Sequence, residues 1–324
     1  MADAGVWVNE TVDYALSVVA LPALVGAVAA APALFGPLRR RPAAVECCVA
    51  FGVAIAFVVS FTRELGIEAL LRQLFELEGD DLPIERWHRL GLMAMVLAVA
   101  GPLLAFVHAV AAGRRAERLV TVLGAVVLSV AAMFVTEFPR VTLAGEASMA
   151  AVCVASALGF AWFARSGAIW CAWLVFAALA ALSVMSGFAS LAVMCAAVSV
   201  GAFGIGVLGF VGARFTRHAA VIEAAAPISV VLGVLAGMCA ACGRTYDSIG
   251  LPGWSWIAVA LLPFGGAMFM RLSDRAPSRE ATTFWRVAGA LLLTALLLVG
   301  THFAIGGGDD GAGEAGDPMD GIYG

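Results

Sequence analysis

TRELGIEALLRQLFELEGDDLPIERWHR, residues 62–89, is the one long charged stretch in a chain of apolar runs, and it decides how those runs are arranged. Of the 324 residues, 62% are apolar and only 13% are charged. Soluble domains carry about 25% charged residues, so this composition does not fit one. We therefore expect an integral membrane protein whose apolar runs cross the bilayer on either side of this stretch.

The apolar runs have the length that a membrane requires. A spanning helix needs about 20 mostly apolar residues, and runs of this size recur between short polar loops. They predict an all-α, polytopic membrane helix bundle of about ten transmembrane helices, forming a single transmembrane domain over residues 1–303. The ten predicted spans are 14–35, 43–61, 90–112, 119–136, 147–164, 167–185, 188–213, 219–241, 254–270 and 281–303.

Region 147–213 leaves the number of spans open, because only residues 165–167 and the pair Ser186 and Gly187 interrupt it. One helix over residues 167–213 would be about 70 Å long at about 1.5 Å per residue, against a hydrocarbon core of about 30 Å. The chain must therefore fold back within this region. The Ser-Gly pair is the predicted turn.

The arginines predict the orientation of the bundle. All 19 basic residues are Arg, and 13 of them fall in alternate loops or just inside the following span. Basic residues concentrate in short cytoplasmic loops, so these loops are predicted to be cytoplasmic and both termini extracytoplasmic. We expect a bacterial cytoplasmic (inner) membrane, with the lipid bilayer as the surrounding partner. Residues 62–89 then form an extracytoplasmic loop.

Within this loop, apolar residues recur at helical spacing opposite a charged face. They predict one amphipathic extracytoplasmic helix over about 63–78, ended by Gly79. Trp87 and His88 are expected at the level of the lipid headgroups. At the other end of the chain, residues 304–324 are rich in Gly and Asp, which predicts a disordered acidic tail.

Two breaks within the apolar runs are candidate substrate-binding elements. Gly101 and Pro102 lie in the third predicted span, and Pro263 and Gly265 lie in the ninth. Transporters place substrates between discontinuous helices whose freed backbone groups line a cavity. A simple packing kink is the alternative, since Gly and Pro are common in membrane helices.

Glu223 is a further candidate for substrate binding, because an ionisable residue in an apolar run is costly to bury. Its position near the cytoplasmic end of its span also fits an acid that interacts with a helix N-terminus. The sequence has no Asp, Glu or Arg near the midplane of a predicted span. That absence counts against transport coupled to protons or sodium ions.

Cys239 and Cys242 form a C-x-x-C pair near the extracytoplasmic end of the eighth span. This spacing occurs in redox proteins, although small apolar cysteines packed in a helix are the favoured explanation. No metal-ligand spacing, nucleotide-binding loop or basic nucleic-acid patch occurs in the sequence. The sequence therefore predicts no metal, no cofactor and no nucleic-acid partner.

Spans seven and eight carry faces of small residues, which let helices approach closely. In span eight they recur at every fourth position, and in span seven they are glycines: Ala225, Ser229, Gly233, Gly237, Ala241; Gly201, Gly204, Gly206, Gly209, Gly212. These faces predict a tight pair of the two spans, or an interface with a second copy or with other membrane subunits.

Three functions remain open from the sequence. The favoured one is a permease-like protein that moves a small uncharged or amphiphilic solute, because of the Gly-Pro breaks. The first alternative is a non-catalytic membrane subunit or scaffold of a larger complex. The second is a membrane enzyme with an extracytoplasmic thiol pair, in which four polar residues are candidates for binding an anionic group: Arg140, Arg244, Tyr246 and Asp247.

Overall fold

The computed structural model describes residues 12–35, 42–68, 71, 86–111, 113–136, 142–163, 168–216 and 226–265. These residues are helical except for short connections, and they contain no strand. A π-helical stretch, Leu16–Ala20, leads into the first helix, and a 3₁₀ turn, Arg86–His88, leads into the third. The nine α-helices of this described part are α1 Leu21–Phe35, α2 Pro42–Leu65, α3 Arg89–Val110, α4 Arg114–Thr136, α5 Leu143–Phe163, α6 Ala168–Met185, α7 Ala189–Thr216, α8 Ala226–Thr245 and α9 Gly253–Ala260.

Within the described residues, seven helical segments are long and apolar enough to cross a membrane. α6 is a shorter apolar helix, and α9 is shorter still. The predicted all-α membrane bundle is confirmed, and each of the first nine predicted spans overlaps one helix. The tenth span, 281–303, and the tail, 304–324, lie outside the described residues.

Region 147–213 forms three helices, α5, α6 and α7. The turn between α6 and α7 lies at Ser186 and Gly187, as predicted, and Gly187 has a φ of +76°. The amide of Gly187 donates to the carbonyl of Val184, and the amide of Phe188 donates to that of Ser183, at 3.1 and 2.8 Å. This paired bonding is the Schellman motif, which requires a left-handed residue after the helix and therefore favours Gly.

The charged stretch 62–89 begins differently from the prediction. Residues 63–65 belong to the last turn of α2, so the predicted start of the amphipathic helix at residue 63 is wrong. Gly66 ends α2 with a φ of +85°, and its amide donates to the carbonyl of Thr62 at 3.0 Å. Residues 67, 68 and 71 are helical, and the rest of the predicted helix lies outside the described residues.

Trp87 is buried, and its expected depth at the level of the lipid headgroups stays a prediction. Its ring packs edge-on against Phe61, His88 and Phe188, with centroid separations of 6.4, 4.3 and 5.1 Å. We call this end of the bundle the Trp87 face, and the opposite end, where Glu46 lies, the Glu46 face. The Trp87 face is the one predicted to be extracytoplasmic.

Glu64 joins three segments at the Trp87 face. Its carboxylate accepts hydrogen bonds from the hydroxyl of Tyr14 and, at 3.0 Å, from that of Ser190. Close by, the hydroxyl of Ser60 donates to the carbonyl of Val18 in the π-helical stretch, at 2.8 Å. These bonds tie the start of the chain and the start of α7 to the end of α2.

α8 is the central helix of the described bundle. Every side chain over residues 228–243 is buried, and α8 packs against α2, α3, α4, α5, α6, α7 and α9. Its most extensive packing is with α5. The two helices are antiparallel, since Gly233 lies against Ala157 and Gly237 lies against Cys153. Because many side chains on α8 are small, other helices can pack around it on all sides.

Candidate functional site

Glycines allow α5 and α8 to approach each other closely. We call the contact between these two helices the α5–α8 seam. A methyl group at Gly233 would collide with the backbone of Ala157. At Gly237 it would lie 2.6 Å from the sulfur of Cys153 and 2.7 Å from the Cα of the same residue. Carbon atoms do not approach so closely, so only glycine permits this separation of the two helices.

A narrow crevice lies at the Trp87 end of the seam, between α5, α8 and α9, with a volume of ≈ 50 Å³. Its apolar lining includes Met149 and Val152 of α5 and Ile257 of α9, with small residues of α8 between them. Ser148 and Arg244 are its exposed polar residues. The contact between Gly237 and Cys153 lies at this crevice, since Gly237 lines it, and this contact holds the two helices together there.

Beyond that contact, the seam carries hydroxyl groups that have no hydrogen-bond partner among the residues that the structure describes. Ser156 of α5 and Ser229 of α8 are fully buried, and neither hydroxyl is bonded to any described group; Ser129 of α4 shares both properties. Ser156 lies beside Gly233, and Ser229 precedes Gly233 by about one turn on the same face. Two hydroxyls without a partner in the described part of the chain therefore follow the crevice along the seam.

These hydroxyls differ from the other buried hydroxyls of the bundle. Ser60, Ser183 and Thr136 each donate to a backbone carbonyl, at 2.8, 2.8 and 2.7 Å. A buried hydroxyl without a partner costs about 1–3 kcal/mol, so native proteins contain few of them. The three hydroxyls lie on α4, α5 and α8, and no described group satisfies their hydrogen-bonding capacity. The sequence shows these serines within apolar runs, but it does not reveal whether a serine hydroxyl has a hydrogen-bond partner.

The predicted break at Pro263 is formed. α9 ends at Ala260, Leu261 takes φ −92° and ψ 0°, and a new helical turn follows at residues 262–265. The broken segment lies against α5, because a methyl group at Gly159 would be 2.8 Å from the amide nitrogen of Phe264. Gly159 is three residues from Ser156, so the break borders α5 beside the unpaired hydroxyls. Gly265 itself is exposed, with open space around it.

The predicted break at Gly101 and Pro102 is not formed. Both residues lie inside α3, which runs without interruption over Arg89–Val110. A methyl group at Gly101 would lie 2.9 Å from a Val231 methyl and 3.0 Å from the Cβ of Ala50, so this glycine serves close packing. The thiol of Cys47 lies 3.6 Å from the carbonyl of Pro102. The two residues do not line the crevice.

Cys239 and Cys242 are fully buried within α8. All the described cysteines are free. Neither member of the pair is accessible from the Trp87 face, which a thiol redox site exchanging with an extracytoplasmic partner requires. Glu223, the remaining predicted residue, lies outside the described part. Among the described residues, no group of His, Cys, Asp or Glu is arranged to hold a metal ion.

The described parts of the small-residue faces of spans seven and eight pack on other helices of this chain, and not on each other. The α8 face packs on α5, while Gly201 and Gly204 of α7 face Ala23 and Ala27 of α1. The predicted tight pair of the two spans is therefore wrong, and α8 and α7 have only a minor contact. An interface with a second copy or with other membrane subunits stays a prediction.

Comparison with protein-family models, with curated proteins and with solved structures returned no match.

Proposed function

We propose that this multi-pass membrane protein is a permease that moves a small uncharged or amphiphilic solute along the α5–α8 seam. The observation that carries the proposal is the sequence of features along α5. A crevice opens at one end, and a glycine contact closes it. Beyond this contact, beside a broken helix, lie buried hydroxyls that have no partner among the described residues. This is the arrangement expected of a solute path in its closed form.

The chemistry of the seam fits an uncharged or amphiphilic solute. A solute that leaves water needs replacement hydrogen bonds, and the hydroxyls of Ser156 and Ser229 have donors and acceptors to spare. The described part of the seam between the crevice and Ser229 has no Asp, Glu or Arg. An ion would therefore find no compensating charge there, whereas a hydroxyl or amide group would find partners.

The break in α9 supplies an element that can move. Pro263 has no amide hydrogen, so the backbone bond from residue 263 to the carbonyl of Val259 is missing. Residues 262–265 can then shift relative to α9 without loss of a helical hydrogen bond at that position. Since this segment rests on Gly159, its displacement frees the surface of α5 beside Ser156.

The test is solute flux in proteoliposomes. The purified chain is reconstituted, and efflux of labelled glycerol, urea, propanediol and decanesulfonate is compared with that from protein-free vesicles. At least one solute should leave faster in the presence of the protein. Ser156→Ala should lower that flux severalfold while leaving thermal stability unchanged or slightly raised, since it removes an unpaired buried hydroxyl.

Ser183→Ala is the matched control, because the Ser183 hydroxyl is bonded to the carbonyl of Leu179 and lies away from the seam. It should keep full flux. Equal flux for Ser156→Ala and the wild type would exclude the seam as the path. Absence of protein-dependent flux for every solute in the panel would overturn the permease proposal.

Native Cys153 provides an independent test of opening. Its sulfur lies at the contact with Gly237, which itself lines the crevice. A membrane-impermeant cationic thiosulfonate, added from the Trp87 side, should block flux once the seam opens. Cys153→Ala should abolish this block, whereas Cys171→Ala, a substitution of a buried thiol in α6, should leave it intact. Equal sensitivity of the two variants would contradict opening at this contact.

A further inference from the structure

We infer that Arg244 and the crevice between α5, α8 and α9 bind a single-chain anionic amphiphile that enters from the lipid leaflet at the Trp87 face. The chain of the amphiphile occupies the crevice, and its head group binds the guanidinium. This inference goes beyond the proposed function, because it assigns a binding site at the end of the seam and does not require that the bound anion be transported. Binding itself is measured separately.

Arg244 is held at the crevice by its surroundings. It lies in the last turn of α8, and its side chain passes over Gly253 at the start of α9, whose added methyl group would lie 3.1 Å from the Nε atom. Gly253 therefore leaves the space in which the guanidinium lies. The residue is exposed and lines the crevice together with Ser148.

The guanidinium makes no ion pair with any acid in the described part of the chain. The nearest acid along the sequence, Asp247, has its carboxylate bound to backbone amides instead. Its oxygens accept from Ile249 and Gly250 at 3.0 Å each and from Leu251 at 2.6 Å. The planar, weakly hydrated guanidinium is suited to a carboxylate, sulfonate or phosphate, and such a charge-assisted bond is stronger than a neutral one.

The shape of the crevice selects the apolar part of the ligand. The crevice is a narrow space between three packed helices, with a volume of ≈ 50 Å³. A flexible alkyl chain can follow such a space more readily than a rigid ring. Met149, Val152 and Ile257 surround this space with apolar atoms, which favours a hydrocarbon chain over a polar one.

The charge and the crevice are adjacent, so one molecule can use both. An alkyl chain that enters from the lipid leaflet passes between α5 and α9, with its anionic end left at the level of Arg244. A headgroup without a chain interacts only with the exposed guanidinium, and a chain without a charge interacts only with the lining of the crevice. A single-chain anion makes both interactions.

The experiment measures binding of tritiated decanesulfonate to the full chain in phosphatidylcholine nanodiscs by scintillation proximity. Decanesulfonate stays charged, so its protonation does not complicate the result. Arg244→Gln should weaken binding by about tenfold or more, as expected for a charge-assisted hydrogen bond. Arg63→Gln is the matched control, because Arg63 is also exposed at the Trp87 face but does not line the crevice. It should change the affinity by less than about twofold.

Competition distinguishes the alternatives. Unlabelled decanesulfonate should displace the probe at lower concentration than decanol, decyltrimethylammonium or methanesulfonate. Equal potency of decanol would exclude a role for the charge, and equal potency of methanesulfonate would exclude a role for the crevice. Displacement by phosphatidylglycerol at equal concentration would overturn the assignment to a single chain. Binding without flux would refute the permease proposal but leave this site intact. Flux without saturable binding would refute this site but leave the permease proposal intact.

Discussion

Two helices of this bundle carry glycine faces that look alike in sequence and differ in what they require. On α8, an added methyl group at Gly233 would collide with backbone atoms of α5. On α7, an added methyl group at Gly201 would lie 3.6 Å from the nearest atoms of α1 and α2, which is ordinary van der Waals separation. The first face needs glycine, and the second only needs something small.

The difference follows from position in the bundle. α8 is surrounded on all sides, so its distance from α5 is set by close contact of the two backbones. α7 has one side buried, while Phe203, Val207 and Phe210 on the other side are exposed in the bundle, as expected for residues that face lipid. A small-residue pattern therefore indicates close packing without indicating how close, and the four predictions below separate the two cases.

The largest effect is expected from Gly233→Ala. The new methyl group meets the backbone of Ala157, which cannot rotate away, so α5 and α8 must separate. Overpacking of this kind costs about 3 kcal/mol, well above the gain in helix propensity of about 1 kcal/mol. Thermal unfolding in mild detergent should show a clearly lowered midpoint. An unchanged midpoint would mean that the seam is looser than described.

Gly26 and Gly52 provide an intermediate case on α1 and α2. An added methyl group at either glycine would meet the carbonyl oxygen of the other. Gly26→Ala and Gly52→Ala should each cost about 2 kcal/mol. The double variant should cost clearly less than the sum, because one separation of the helices accommodates both methyl groups. Additive losses of thermal stability would argue against a shared contact.

The two prolines test the broken helix against the continuous one. Pro102→Ala adds an amide hydrogen that can bond the carbonyl of Ala98, for a gain of about 1 kcal/mol, and flux should stay within about twofold of wild type. Pro263→Ala lets the helix continue through Leu261, so the proposed flux should fall severalfold. Flux assays in proteoliposomes and thermal unfolding check both. A loss of flux in Pro102→Ala alone would reverse the assignment of the moving element.

The smallest effect is expected from Gly201→Ala. The site has room for a methyl group, and Ala is favoured over Gly in a helix by about 1 kcal/mol. The unfolding midpoint should stay level or rise slightly, which also makes this variant the control for Gly233→Ala. A drop as large as that of Gly233→Ala would show that the two glycine faces are equivalent after all.

The helices themselves were largely predictable, because apolar runs of spanning length leave the chain few alternatives. The turn at Ser186 and Gly187 was also predictable. A run too long for the bilayer must fold back, and this Ser-Gly pair interrupts the apolar residues. Errors arose at helix ends, as where α2 continues through residues 63–65 beyond its apolar run. Helix capping by Gly66, rather than hydrophobicity, decides that boundary.

The candidate site was only partly predictable. Pro263 was identified because proline removes a backbone donor wherever it occurs in a helix. Pro102 has the same chemistry, but α3 stays continuous, with the adjacent Gly101 packed closely against α2 and α8. The unpaired hydroxyls of Ser156 and Ser229 were missed, since pairing depends on which helix lies opposite.

By itself, then, the sequence determined that this chain is an all-helical membrane bundle, where most of its helices lie, and that its apolar runs carry no charge at their centres. Those properties follow from local composition, because lipid tolerates only hydrogen-bonded helices with apolar surfaces. Tertiary structure alone decided that α8 lies at the centre, that its glycines meet α5 rather than α7, and that Arg244 borders a crevice. Helix partners are chosen by the fit of whole surfaces, and no single stretch of sequence contains both surfaces.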